Sequence, residues 1–387
     1  MSNTLTGLLP TLYESLDTVA RELVGIIPAV TLDANVGRGA IGQTVLSVIA
    51  PAVTASNVTP GVTAPNDGDQ VFANKTITIS KSRYVPIRWN GEEERGLSTG
   101  PGYRNILRDQ FSQAFRTLVN EMENDVVNVG YQNASRATGT PGTTPFQTPG
   151  DLSDFANVRQ ILEDNGAGVG EMHMVLGSAA IAAIRGKQNV LFRVNESGTE
   201  ALLRKGIVGE VEGLMVHNSA QVRQVVAGTG TGYVSSGGTL PVGTTAIPLL
   251  TGAGTVLAGD AVTFAGDANK YVVNTGVAAP GTISIGSPGL RLALAAGTAM
   301  TIGASYTPNL AFASSGIVLS TRIPAVPVDM QGNAMDMADD RTIVQDPFSG
   351  LAFEVSLYRQ YRQIKYEVAA AWGMGGMKSD FIATLRG

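Results

Sequence analysis

Residues 224–321 carry only four charged side chains, Asp260, Asp267, Lys270 and Arg291, in 98 positions. The other 55 of the chain's 59 charges lie outside that window. A stretch so poor in charge cannot clothe solvated helices. Its apolar runs are short and β-like: "TTAIPLL", "AVTF", "KYVVN", "TISI", "LRLALA" and "AMTIG", each bounded by Gly-rich breaks. Strands at such intervals predict a small sandwich or barrel set into the rest of the fold. Within it, "AGDAVTFAGDANKYVV" repeats Ala-Gly-Asp. Calcium-binding repeats need a nine-residue period over several turns, and an EF-hand needs a closing Glu. Neither is present, so both Gly-Asp steps read as tight turns, the second folding "AVTF" back onto "KYVV".

The flanking sequence is of a different kind. Leu9, Leu12, Leu16, Val19, Ala20 and Leu23 recur at helical spacing, predicting an amphipathic helix over 10–25. Residues 31–70 read as loop with a two-stranded excursion around "TVLSVIAP", and "NKTITISKSRYVPIRW" as a strand pair or one bent strand. The strongest helix follows. Leu107, Phe111, Ala114, Phe115, Leu118, Met122, Val126 and Val129 share one face. About 30 residues at about 1.5 Å each make a rod of about 45 Å. "ASRATGTPGTTPFQTPGD" reads as a linker. A helix at "LSDFANVRQILEDNG", a strand at "EMHMVLG", a helix at "SAAIAAIRGKQ" with Ser178 near its cap and a strand at "EVEGLMVHNS" come next. Near the end, Leu351, Phe353, Val355 and Leu357 alternate, as do Ile364, Tyr366, Val368, Ala370 and Trp372. These are long strands that complete the earlier sheet.

Several chemistries lack their residues. The chain has no cysteine, which excludes disulfides, thiol catalysis and cysteine metal sites. No Gly-x-x-x-x-Gly-Lys-Ser/Thr loop occurs, and "GTGTG" at 228–232 opens no helix, so it reads as flexible linker. The net charge of −5 speaks against a protein that coats nucleic acid. The first residues lack the basic region of a secretory signal, and no run of about 20 apolar residues predicts a membrane span. His173 and His217 are the only histidines; each sits in a strand among apolar neighbours and reads as structural. Glu92, Glu93 and Glu94 are consecutive and fan apart, which suits a solvated or inter-subunit cluster better than a metal. A hydrolase using carboxylates such as Asp336, Asp339 and Asp340 in "MDMADD" is a third reading, but that run reads better as a loop turn or interface. No catalytic, cofactor-binding or metal residue is assigned, no cofactor is implied, and the chain is read as a non-enzyme.

The order of parts resembles the major capsid (coat) protein of tailed bacteriophages, the HK97-like fold. "MVLGSAAIAAIRG" is similar to that family's strand-then-helix step. "GIVGEVEGLMVHNS" resembles its Gly-rich run before the next core strand. "NLAFASSGIVLSTRIPAV" resembles its return after an insertion, with Ala313 where His is usual. "GDAVTFAG" looks like part of the extra β-barrel domain of P22-type coat proteins. The resemblance spans nearly the whole chain and implies an α+β fold. It places an N-terminal arm at 1–40, an extended loop with supporting strands at 41–95, and the spine helix and peripheral domain at 96–150. An axial domain follows at 151–222, an inserted β-barrel at 223–307, the axial return at 308–342, and peripheral strands at 343–387. It implies self-assembly into pentamers and hexamers of an icosahedral shell in the virion, built in the host cytoplasm. The shell would enclose double-stranded DNA without sequence-specific binding, with scaffolding, portal and decoration proteins as partners and no membrane. Some members crosslink a Lys to an Asn of a neighbour. Lys75 and Lys81 lie near the extended loop, but the P22-type branch generally lacks such bonds and none is expected here. The alternative reading is a secreted or surface-array β-rich binding protein.

Overall fold

The computed structural model describes residues 11–16, 25–49, 57–58, 60–63, 73–98, 103–167, 170–188, 209–331, 335–346 and 349–387. Two sheets share one long helix. The first sheet runs Thr31–Gly39, Ile317–Pro324, Gln363–Gly376, Ala352–Gln360, Asp340–Gln345, and Lys81–Asn90 pairs along the remaining edge of Gln363–Gly376. That pairing is continuous from Trp372↔Lys81 to Gln363↔Asn90. The alternating residues of the two late strands do close the sheet begun by "SRYVPIRW". Thr31–Gly39, expected as loop, is instead a strand lying parallel to Ile317–Pro324. Its sequence, TLDANVGRG, is too polar to alternate, and most of its residues are exposed.

The second sheet runs Glu210–Val211, Leu214–Asn218, Met172–Leu176, Pro308–Ala313, Ile382–Arg386, Arg136–Gly139. The helices Ser153–Asp164 and Ser178–Lys187 cover one face through Phe155, Val158, Leu162, Ile181 and Ile184. Arg136–Gly139 falls inside the expected linker. Four residues with a buried Arg carry no apolar period, so pairing with Ile382–Arg386, not propensity, makes them a strand.

The long helix, Tyr103–Gln132, packs on both sheets. Phe111 meets Tyr366 edge-on at 5.6 Å, and Phe115 meets Phe353 at 5.1 Å. Its far end lies over Leu310, Phe312 and Ile317. A Cβ on Gly130 would stand 2.5 Å from the Leu310 side chain and 3.3 Å from that of Ile317, so the small residue lets the helix approach both sheets where they meet. Polar pegs fix its rotation: Trp89 Nε1 donates to Gln110 at 2.9 Å, and Trp372 Nε1 to Asp125 at 3.0 Å. Of the expected N-terminal helix, residues 11–16 are helical; 17–24 lie outside the described residues. Leu12 and Leu16 are buried against the long helix, and Ser15 Oγ donates to the Arg108 carbonyl at 3.1 Å.

Between Leu214–Asn218 and Pro308–Ala313 the chain leaves the second sheet and returns to it. In that excursion Val234–Ser235, Ala246–Leu250, Thr282–Ile285, Lys270–Thr275, Ala261–Phe264 and Met300–Ile302 pair in sequence. The ring nearly closes: Met300 N donates to the Tyr233 carbonyl and Ser235 N to that of Thr298, each at 2.9 Å. Inside is a separate core of Ile247, Val262, Phe264, Tyr271, Val273 and Ile283, among others. Lys270 and Tyr271 also pair with Ala137 and Arg136, joining the ring to the second sheet.

Candidate assembly surfaces

No described helix is long and apolar enough to cross a membrane, and among the described residues no three His, Asp or Glu side chains converge as a metal site. What the first sheet presents instead is unfinished surface.

The strands Thr44–Ile49 and Ala73–Thr78 form a two-stranded sheet of their own. Its base is anchored: Ile77 and Ile79 are buried, Ser80 N donates to the Trp372 carbonyl at 3.1 Å, and Lys75 Nζ donates to the carbonyls of Gly376 and Met377. Farther out, Leu46 is 66% exposed. Val58 and Val62, in the connection, are fully exposed. An isolated hairpin is marginal in water, and this one turns apolar side chains outward. Val328, Met330, Met335, Met337 and Ile343 form a second exposed apolar series, leading into the edge strand Asp340–Gln345. Edge strands are the usual template for pairing with another chain. A groove of about 700 Å³ is lined by Trp89, Ile364, Arg359, Arg362, Glu92 and Glu94, among others. The tip of the adjoining turn, Tyr361, is almost fully exposed.

The residues singled out in the sequence land as follows. Glu92, Glu93 and Glu94 open the helix Gly91–Ser98. Asn90 and Glu93 cap it reciprocally: Glu93 N donates to Asn90 Oδ1 at 2.7 Å and Asn90 N to Glu93 Oε2 at 3.2 Å. Three carboxylates suit the positive end of a helix dipole. Asp336 pairs with Arg341 and accepts from Tyr358, while Asp339 pairs with Arg359 at 3.3 Å. Asp340 caps the Arg341 amide at 2.8 Å. Asp336 and Asp340 engage the side chain and the amide of Arg341, Asp339 engages Arg359, and the three carboxylates do not converge as a metal-binding cluster. Lys81 is held between Glu121 and Asp125, at 2.9 and 2.8 Å. Both candidate lysines are thus engaged within their own chain.

His173 and His217, read separately from the sequence, touch: His173 Nδ1 and His217 Nε2 are 3.0 Å apart. Burial lowers the pKa of both, that of His217 to about 4. The Gly-Asp repeat is two turns, with Gly259 and Gly266 both at positive φ. The pair is unequal, however. Asp260 is buried and accepts from the amides of Leu257 at 2.7 Å and Gly228 at 3.0 Å. Asp267 accepts the Tyr271 hydroxyl at 2.6 Å, beyond its role in the turn. Nor is "GTGTG" a loose linker. A Cβ on Gly228 would lie 2.3 Å from the Thr255 carbonyl oxygen, and Gly230 N donates to that same oxygen at 2.9 Å. Close backbone approach, not freedom, selects those glycines.

No family model and no curated protein matches the chain. Among solved structures it is similar to the capsid of cyanophage P-SCSP1u, 12% identical with TM-score 0.48, covering 92% of this chain and 86% of that one. It is similar to the mature capsid of bacteriophage PhiM1, 11% identical with TM-score 0.45, covering 94% and 86%. It is also similar to a virus-like particle from Pyrococcus furiosus, 9% identical with TM-score 0.44, covering 98% and 99%.

Several buried charges escaped the sequence reading, among them Glu123, Arg136, Asp346, Glu354 and Arg386. Glu123, on the long helix, accepts the Ser219 hydroxyl at 3.2 Å, and a Cβ on Gly25 would collide with its carboxylate. Burial raises its pKa; the amides of Ile26 and Ile27 act in the opposite direction. Arg136 reaches Asn269 and Asp164, each at 3.1 Å, and so ties the ring to the helix-covered sheet. An Arg in a Thr-Gly-rich run gives no sequence signal of burial; a Glu interrupting the apolar face of the long helix does.

Proposed function

We propose that this chain is the subunit of a closed protein shell, a major capsid protein of the HK97-like kind carrying a P22-type inserted β-barrel. The observation that carries the reading is the anchored, outward-facing hairpin of Thr44–Ile49 and Ala73–Thr78. Among its described residues, Leu46 on the hairpin and Val58 and Val62 in the connection are exposed apolar side chains. The element order supports it: a helical segment on the long helix, a hairpin, a strand, that helix, a helix-covered sheet, an excursion, and a late pair of strands returning to the first. Low charge fits a subunit surrounded by copies of itself. In this reading the arm is 1–40, the extended loop 41–95, and the inserted barrel 223–307. Copies assemble as pentamers and hexamers around double-stranded DNA in the virion, with scaffolding, portal and decoration proteins as partners. Negative-stain microscopy of the concentrated chain tests it. Closed shells, or rings of five and six, are expected; a persistent monomer rejects the reading.

A further inference from the structure

The chain's only two histidines are brought together by strand register. Met172–Leu176 and Leu214–Asn218 are parallel neighbours, with His173 opposite Met215 and Val175 opposite His217. Alternate residues of a strand share a face. His173, Met215 and His217 therefore stand on one face of the sheet, beside Phe312, whose ring lies 6.2 Å from that of His173. His173 is buried and His217 half-buried, while Met215 is exposed, so the face opens to solvent beside the pair.

We propose that His173 and His217 form a two-imidazole site for a divalent transition metal ion such as Zn2+. Two Zn–N bonds of about 2.0–2.1 Å at a tetrahedral angle hold their nitrogens about 3.3 Å apart. The observed 3.0 Å needs an opening of only a few tenths of an ångström. In the metal-free chain one nitrogen must donate a proton to the other. The ion takes the place of that shared proton: the donor ring changes tautomer and carries its proton on the other ring nitrogen, so both imidazoles bind neutral and no net proton is released. Rings fixed by adjacent strands are oriented before the ion arrives, which lowers the entropic cost of chelation. The Glu171 carboxylate contributes favourable negative charge to His173. Met215 offers a thioether, a donor for softer ions. With two imidazoles as the fixed ligands, the remaining coordination positions hold water. Oxygen-seeking Mg2+ gains nothing from such a donor set.

Calorimetric titration of the full, untagged chain with Zn2+, and separately with Mg2+, tests the site. Wild type is expected to bind one Zn2+ per chain and no Mg2+. His217→Ala and His173→Ala are each expected to weaken Zn2+ binding at least about tenfold, and the double variant little further, because one imidazole alone is a poor site. His217 is half-buried and its truncation tolerable, so its variant keeps the test decisive even if His173→Ala fails to fold. Absence of Zn2+ binding by wild type, equal binding by His217→Ala, or Mg2+ competing for the same site would each overturn the proposal.

Discussion

The excursion of 225–306 and the hairpin-bearing first sheet handle strand edges in opposite ways. The excursion curls six short strands into a nearly closed ring and keeps Ile247, Val262, Phe264, Val273 and Ile283 in a core of its own. Near-closure of the ring removes most of its strand edges, so its backbone is paired within the segment despite the few charges. The first sheet buries one face on the long helix but keeps an edge at Asp340–Gln345, a hairpin with Leu46 outward, and a methionine-rich run beyond Val328. Both regions leave apolar side chains exposed, the excursion at Val226, Val242, Leu250, Leu257 and Leu292, but the first sheet also leaves a strand edge open; on the shell reading proposed above, a neighbouring copy would pair there.

The largest expected effect tests the surface both regions depend on. Phe111 is fully buried on the long helix, against Tyr366. Phe111→Asp places an unpaired carboxylate there at a cost of several kcal/mol, against a total stability of about 5–15. Insoluble or misfolded chain is expected in expression trials. Soluble, cooperatively melting protein would break the picture of a helix holding both sheets together.

Next comes the ring. Asp260→Ala leaves the amides of Gly228 and Leu257 without their acceptor, at about 1–3 kcal/mol each. Lowered protection of these amides in hydrogen exchange is expected, with the first sheet unaffected. Equal loss across both sheets would show that the ring is not self-contained.

A smaller effect lies at the junction. Burial holds the Glu123 carboxyl above its ordinary 4.5. The folded chain therefore binds that proton more tightly than the unfolded one. The contribution to stability is complete below about pH 4.5 and is lost as pH rises through the raised folded value. Glu123→Gln, always neutral, removes this slope. Its melting temperature is expected to fall less than that of wild type between pH 5 and 7. Parallel curves would mean that the carboxylate is solvated.

The legible parts of this fold were those whose pattern survives locally. The eight-residue stripe on the long helix, the alternation from Leu351 to Trp372 and the short runs between glycines each encode their own burial. All eight positions of the stripe are buried or half-buried, Val129 the least so. What stayed hidden is made by partners distant in sequence. Arg136–Gly139 is a strand because Ile382–Arg386 lies beside it, and Thr31–Gly39 because Ile317–Pro324 does. The contact of His173 with His217 depends on the register of two strands about 40 residues apart. Composition could announce a self-contained β region but not that Gly228 is pinned under Thr255, since close approach and flexibility call for the same residue.

The smallest effect on folding is expected where the effect on assembly is greatest. Leu46 sits in the middle of Thr44–Ile49, paired with Thr76, its side chain turned to solvent in the single chain. Leu46→Asp removes no buried contact, so the monomer's stability should change by no more than about 0.5 kcal/mol, as for most surface substitutions. In a shell that covers this hairpin with a neighbouring copy, the same carboxylate must be desolvated without a partner at every equivalent contact. A repeated cost of a few kcal/mol per contact multiplies through the assembly. Unfolding by denaturant and sedimentation velocity on the same preparation separate the two quantities. The expected outcome is an unchanged denaturation midpoint with loss of the fast-sedimenting species. Shells formed at wild-type yield would mean that the hairpin remains exposed in the assembly, and that the incompleteness of the first sheet must be resolved at Asp340–Gln345 and the methionine-rich run instead.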